Sequence, residues 1–174
     1  ALAEAGIFAG INADGDAALD DDMTRAQAAR ILALIFDLDM ENVPANATFS
    51  DVDSNHWAFD AVEAAVDAGL INGRGDGTFD PNGLVTHQEW AVMLALGYQE
   101  ELGFEIDADA TVDGEVKEWA EQYVAFAVDN GILPVRSDYT TNANRGALAF
   151  GAYQGYVDAT VPETVGIASA EASN

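Results

Sequence analysis

Apolar side chains recur at steps of one, three and four through Trp57, Ala58, Ala61, Val62, Ala65 and Val66, and a like stretch runs from about Val116 to Asn130. This spacing predicts two amphipathic helices. Gly69 and Gly131 follow them, where a left-handed C-cap ends a helix. A second kind of helix is predicted to begin at Thr24, Thr86 and Asn144. Its inward face carries Ala29, Leu32, Ala33 and Phe36 in one copy, and Trp90, Met93, Leu94 and Tyr98 in the next. Thr24 with Gln27, and Thr86 with Glu89, have the spacing of reciprocal capping boxes. Turn residues fill the stretches between the two kinds of helix, as in INGRGDGTFDP over Ile71–Pro81. Asp37–Thr48 and Leu102–Ala110 read as connections.

The pattern repeats. FSDVDSNHWAFDAVEAAVDAGLINGRGDGT (Phe49–Thr78) lies over TVDGEVKEWAEQYVAFAVDNGILPVRSDYT (Thr111–Thr140) without a gap at an offset of 62, and eleven of thirty positions agree, so the unit is about sixty residues long. TRAQAARILALIF (Thr24–Phe36) falls on THQEWAVMLALGY (Thr86–Tyr98) at the same offset. NRGALAFGAYQGY (Asn144–Tyr156) is a third copy once four residues are deleted from the loop before it. The chain thus reads as two full helix-loop-helix units and the back half of an earlier one. It opens on ALAEAG, which reads as the end of a helix, so the front half of the first unit is expected upstream of Ala1. One helical hairpin cannot cover its own apolar stripe, so the units must pack together.

Charge narrows the function. Six cationic residues stand against 31 carboxylates for a net charge of −25, which argues against nucleic acid and against an anionic membrane surface. No apolar run approaches the ~20 residues of a membrane span. There is no cysteine, hence neither a disulfide framework nor a thiolate metal site. The two histidines, His56 and His87, lack metal spacing, and neither a nucleophile elbow nor a phosphate loop occurs, so no catalysis is expected. Asn12–Asp16 and Asp107–Thr111 look like cation-ligand runs, but neither has the glycine and glutamate of an EF-hand loop. No cofactor is expected beyond, at most, structural calcium.

Four of the six cations occupy two repeat-matched classes. Arg25 and Arg145 follow the predicted caps at N1, where a cation opposes the helix dipole at a cost of about 0.3–1 kcal/mol. Two readings stand: an anionic ligand at the helix N-terminus, or an ion pair with a carboxylate. Arg74 and Arg136 lie in the loops, where they either face a ligand or neutralise Asp76 and Asp138. Trp57 and Trp119 read first as core aromatics at the head of a buried stripe. Asp51 and Asp113 read as turn caps.

F-S-D-V, H-W-A, A-G-L-I-N-G, D-G-T-F-D-P and V-T-H-Q-E in the middle unit, with M-T-R-A-Q in the first, resemble S-layer homology repeats over about residues 1–158. The resemblance implies an all-α fold: three helix-loop-helix repeats in a pseudo-threefold bundle with inter-repeat grooves. The first repeat would cover 1–48 without its front half, the second 49–110 and the third 111–158, with 159–174 a linker or tail. It also implies a secreted bacterial protein at the cell wall or S-layer. Such a module would anchor an exported protein non-covalently to a cell-wall glycan, a peptidoglycan-linked secondary polymer often carrying pyruvyl ketals. Self-assembly would use regions outside this chain.

By the same resemblance Asp51, Asp113, Trp57 and Trp119 contribute to groove walls. Arg25, Arg145, Arg74, Arg136 and His87 complete the candidate ligand-binding set, with no catalytic and no metal residue. His87 stands where the motif has Arg, and its charge would change near pH ~6.5. Gln27 replaces the motif Glu, and Asn144, Gly146 and Ala147 depart from it in the third unit, as do Thr111 and Gly114 earlier there. One or two grooves would therefore be silent. The alternatives are a host-adhesion module using Arg74-Gly75-Asp76, or an acidic calcium-dependent structural repeat.

Overall fold

The computed structural model describes residues 20–146. Four helices follow in chain order: α1 (Arg25–Ile35), α2 (Phe59–Asp67), α3 (His87–Leu102) and α4 (Glu121–Asp129). A 3-10 turn over Glu118–Ala120 leads into α4. Among the described residues there is no strand, only isolated bridges, and the all-α expectation holds. The chain is helical again at 145–146, where the third copy of the second helix was placed. The rest of that copy, the Asn12–Asp16 run and the tail lie outside the described residues.

Helix starts follow the capping residues. At α1 the Thr24 hydroxyl accepts from the Gln27 N–H, and the Gln27 side chain accepts from the Thr24 N–H at 3.0 Å, the full reciprocal box. At α3 the Thr86 hydroxyl accepts from the Glu89 N–H at 3.3 Å. Gly69 and Gly131 end the first-type helices at φ 74° and 69°, a backbone that L side chains rarely adopt.

The tryptophans depart from the sequence reading. Trp57 precedes α2, whose N-cap is Ala58, and Trp119 sits in the 3-10 turn. Ala58 and Ala120 are fully buried, whereas Trp57 and Trp119 are 58% and 55% exposed. Neighbours in a helical turn are rotated by about 100–120°, so an inward alanine turns the adjacent tryptophan off the core face. The predicted helix from Val116 is likewise corrected to a start at Glu121.

The core runs continuously through all the helices. Leu32 and Ala33 of α1 and Trp90 and Leu94 of α3 are wholly or almost wholly buried, as the periodicity required. α1 packs on α2, α3 packs on α4, and α1 also meets α3. At that last crossing a Cβ on Gly97 would overlap the Phe36 ring, so the missing side chain admits the aromatic.

Three backbone hydrogen bonds close a cycle. The Met23 N–H donates to Ala143 O (3.1 Å), the Ala143 N–H to Val85 O (2.8 Å), and the Val85 N–H to Met23 O (3.0 Å). Each residue directly precedes Thr24, Thr86 or Asn144. The entries to the three second-type helices therefore meet at one place, although their sequences lie far apart.

Candidate functional site

The N-termini of α1 and α3 are already occupied by backbone. The Arg25 and Ala26 N–H groups donate to Gly83 O and Pro81 O at 2.8 and 3.0 Å. His87 and Gln88 do the same to Thr141 O and Tyr139 O at 3.0 and 2.8 Å, and Arg145 donates from its N–H to Asp21 O at 2.8 Å. Carbonyl oxygens from another unit thus take the donors that the sequence reading offered to an anion, a correction to the proposed N-terminal anion trap.

This arrangement also explains an arginine at N1. The Arg25 side chain is only 5% exposed. Its Nε donates to Phe79 O at 2.8 Å, one Nη donates to Asn72 O at 2.5 Å, and the guanidinium lies 4.7 Å from the centroid of the Phe79 ring. Burial, and next the neighbouring Arg74, push its pKa below the usual arginine value, while Glu89, Asp80 and Asp51 pull the other way. Arg25 is a staple between the first unit and the loop of the second, with remaining donors on the wall of a cavity.

That cavity has a volume of about 280 Å³ and is lined by Arg25, loop residues 70–74, Glu89, Val92, Met93, Leu96 and Trp119. Three of the sequence-predicted residues, Arg25, Arg74 and Trp119, are brought together here from three different units. The floor is apolar, the rim carries two arginines and one carboxylate, and an exposed indole stands at the side. Such a set can stack a ring on Trp119, donate to a carboxylate, and accept hydroxyls on Glu89 or backbone carbonyls. Glu89 and Asn72 escaped the sequence reading, which took Glu89 as a capping partner only. The available signal was that the repeat replaces Gln27 by a charge at the same point.

Arg74 pairs with Asp80, its Nε and Nη2 at 3.2 and 2.8 Å from Oδ2, and not with Asp76 as its spacing suggested. Asp76 is held by the Thr78 N–H and hydroxyl at 3.0 and 2.6 Å, which keep its carboxyl below the usual range. Asp138 and Thr140 repeat that turn at 2.8 and 2.6 Å. Asp51 lies away from the cavity lining and accepts from the Phe79 and Asp80 N–H groups, both at 2.8 Å. Burial acts to raise its pKa, but these donors prevail and leave it lowered. Asp51 therefore clamps the loop whose Phe79 carbonyl receives Arg25. Its repeat mate Asp113 is exposed.

The remaining candidates fall elsewhere. Trp57 stacks on His56 with ring centroids 5.7 Å apart. His87 is 3% exposed, and its Nδ1 lies 2.9 Å from Thr141 O. Arg136 and Arg145 are partly buried. Among the described residues, no group of three or more His, Asp or Glu is placed to hold a metal ion, and no helix is long and apolar enough to cross a membrane.

The S-layer homology domain profile matches residues 48–91, which hold the α2 helix, the loop lining the cavity and the start of α3. A surface-layer 125 kDa protein of Lysinibacillus sphaericus is 33% identical over 133 residues, 76% of this chain and 11% of the relative. A cellulosome-anchoring protein of Acetivibrio thermocellus is 31% identical over 127 residues, 70% of this chain and 28% of the relative. The S-layer protein sap of Bacillus anthracis is 27% identical over 113 residues, 64% of this chain and 12% of the relative. The chain thus spans between 11% and 28% of the length of these relatives. Motif, helical fold and relatives agree that the chain belongs to the S-layer homology family.

Proposed function

We propose that this chain is an anchoring module that holds an exported protein at the cell wall by binding an acidic wall polysaccharide, without catalysis of its own. The reading is supported by relatives that are S-layer and cellulosome-anchoring proteins by name. The observation that carries it is the cavity where Arg25, Arg74 and Trp119 converge between units. In this reading a sugar ring stacks on the exposed indole, its carboxylate faces Arg74 and the free donors of Arg25, and Glu89 accepts a hydroxyl. A pyruvyl ketal supplies a carboxylate of that kind. The closed cycle through Met23, Val85 and Ala143 supports three units about a pseudo-threefold axis, so that further grooves lie beside Arg145 and beside His87.

The test is co-sedimentation with purified wall polymer. Wild type is expected to bind, and Trp119→Ala and Arg74→Gln are expected to bind more weakly, whereas Val135→Ser, at a residue 76% exposed and away from the cavity, leaves binding intact. Failure of the wild type to sediment with walls overturns the anchor; equal binding by all variants overturns the site. Asp76, the carboxylate that the adhesion alternative needs, is held by the Thr78 N–H and hydroxyl at 3.0 and 2.6 Å.

A further inference from the structure

The chain holds three Asn-Gly pairs, Asn72-Gly73, Asn82-Gly83 and Asn130-Gly131. Asparagine is chemically labile, and most so before glycine, where no side chain shields the next backbone nitrogen from the side-chain amide. Reaction between them needs that nitrogen free to lose its proton and the amide free to swing onto it. All three asparagines are exposed, so solvent access does not rank them. Hydrogen bonding does. The Gly83 N–H donates to Asp80 O at 3.0 Å, and the Gly131 N–H to Val128 O at 3.0 Å. The Asn130 side chain is held as well, its Nδ2 donating to Phe126 O at 2.8 Å. Among the described residues, neither the Gly73 N–H nor the Asn72 side chain has a hydrogen-bond partner.

Packing fixes the glycine of the free pair. A Cβ at Gly73 would overlap the Phe49 ring and lie 2.9 Å from Thr78 O, so only glycine fits. The third unit has Thr111 in place of Phe49, and there Pro134-Val135 stands at the position of Asn72-Gly73. The loop of the repeat therefore does not require the labile pair, and no hydrogen bond of the Asn72 side chain requires the asparagine. Asn72 also lines the cavity, with its main-chain carbonyl accepting from Arg25 Nη2.

We infer that Asn72-Gly73 is a self-modification site, which deamidates selectively in the folded chain and places a new carboxylate on the rim that Arg25 and Arg74 make cationic. The Gly73 nitrogen bonds to Asn72 Cγ, the Cγ–Nδ2 bond breaks, and ammonia leaves with the proton that the nitrogen gave up. Water then opens the cyclic imide at either carbonyl, leaving aspartate or isoaspartate with one more negative charge. Water is the sole co-reactant, and nothing is oxidised or reduced. Aspartate adds its carboxylate beside the arginines. Isoaspartate routes the main chain through Cγ and turns the carbonyl that receives Arg25 into the carboxylate itself. Either way an acidic ligand meets arginines that are already neutralised, a consequence that rests on the reading of the cavity as the seat of an acidic sugar.

The experiment is peptide mapping by mass spectrometry of the whole chain, aged at mildly alkaline pH in the folded state and in urea. In the folded chain, deamidation at Asn72 is expected to outpace that at Asn82 and Asn130 by about tenfold, the factor set by a backbone hydrogen bond that must open first. In urea the three rates should converge, because those bonds are gone. Equal rates in the folded chain, or a faster reaction at Asn82 or Asn130, overturn the inference. Sedimentation of the same samples with wall polymer reads the consequence. The deamidated chain is expected to bind about three- to tenfold more weakly than the fresh one, the effect of one added close charge partly screened by solvent. Aged Asn72→Gln, compared with its own fresh sample, should lose nothing. Unchanged binding after complete deamidation overturns the neutralised rim. A fresh wild type that does not bind at all overturns the anchor reading instead, and the mapping then decides the modification alone.

Discussion

Replacing Arg25 by alanine is expected to cost folding stability as well as any ligand contact. Two hydrogen bonds from a charged donor reach backbone carbonyls, and such bonds contribute about 1.5–3 kcal/mol each. Contact with the Phe79 face adds about 1–2 kcal/mol at this burial. Against these stands the desolvation that already lowers the arginine pKa. Asn72 is exposed, so water can replace the arginine at its carbonyl, but Phe79 is fully buried and its carbonyl is left without a donor. The balance is a loss of about 2–4 kcal/mol, dominated by that one orphaned acceptor. In urea denaturation, with a slope of about 1–3 kcal/mol per molar, the midpoint should fall by about 1–2 M. Arg25→Lys, able to make one of the two bonds, should lose about half as much. A midpoint within about 0.2 M of wild type for Arg25→Ala would refute the staple and return Arg25 to the role of a free ligand group. This is also why Trp119 and Arg74, both substantially exposed, are the better probes of binding.

Three further outcomes follow from the same geometry. Gly97→Ala normally gains helix propensity, but here the new methyl meets the Phe36 ring, and a net loss of about 1–3 kcal/mol is expected in thermal or urea unfolding. Asp51→Asn keeps one acceptor for two donors and should cost about 0.5–1.5 kcal/mol, discounted for exposure. Because the Asp51 pKa is lowered on folding, its contribution is present above the unfolded carboxylate range and lost as pH falls through the folded value, so the variant should unfold with a shallower acid limb. At a net charge of −25, wall binding should hold or strengthen as sodium chloride rises from low values, since self-repulsion and repulsion from an anionic polymer are both screened; a steep loss in sedimentation would contradict this and point to binding through a cationic surface.

The helices, their caps and the inward faces of α1 and α3 were legible because period and capping are local properties. Thr24, Thr86, Gly69 and Gly131 act where their spacing put them. The roles of the charged residues were less legible, because they depend on which loop arrives at a helix start. Nothing in the sequence near Arg25 announces that Phe79 O and Asn72 O will meet its side chain, 54 and 47 positions away. Arg74 reached past Asp76 to Asp80 for the same reason: the loop doubles back, with Asp80 at φ 61°. The tryptophans were misassigned because an apolar stripe does not reveal where the helix proper begins. α2 begins two residues after Trp57, and α4 begins two residues after Trp119 and five beyond the predicted start at Val116, and this shift turned both tryptophans from core to surface. That shift is what supplies the cavity with its aromatic wall.

The central claim is that a sugar of the wall polymer occupies the cavity beside Trp119. Indole N–H signals of the three tryptophans, followed by NMR while polymer fragments are added, test it most directly. Trp119 is expected to shift while Trp90, fully buried, does not. If the fragments bind and the Trp119 signal stays where it was, the cavity is not the site.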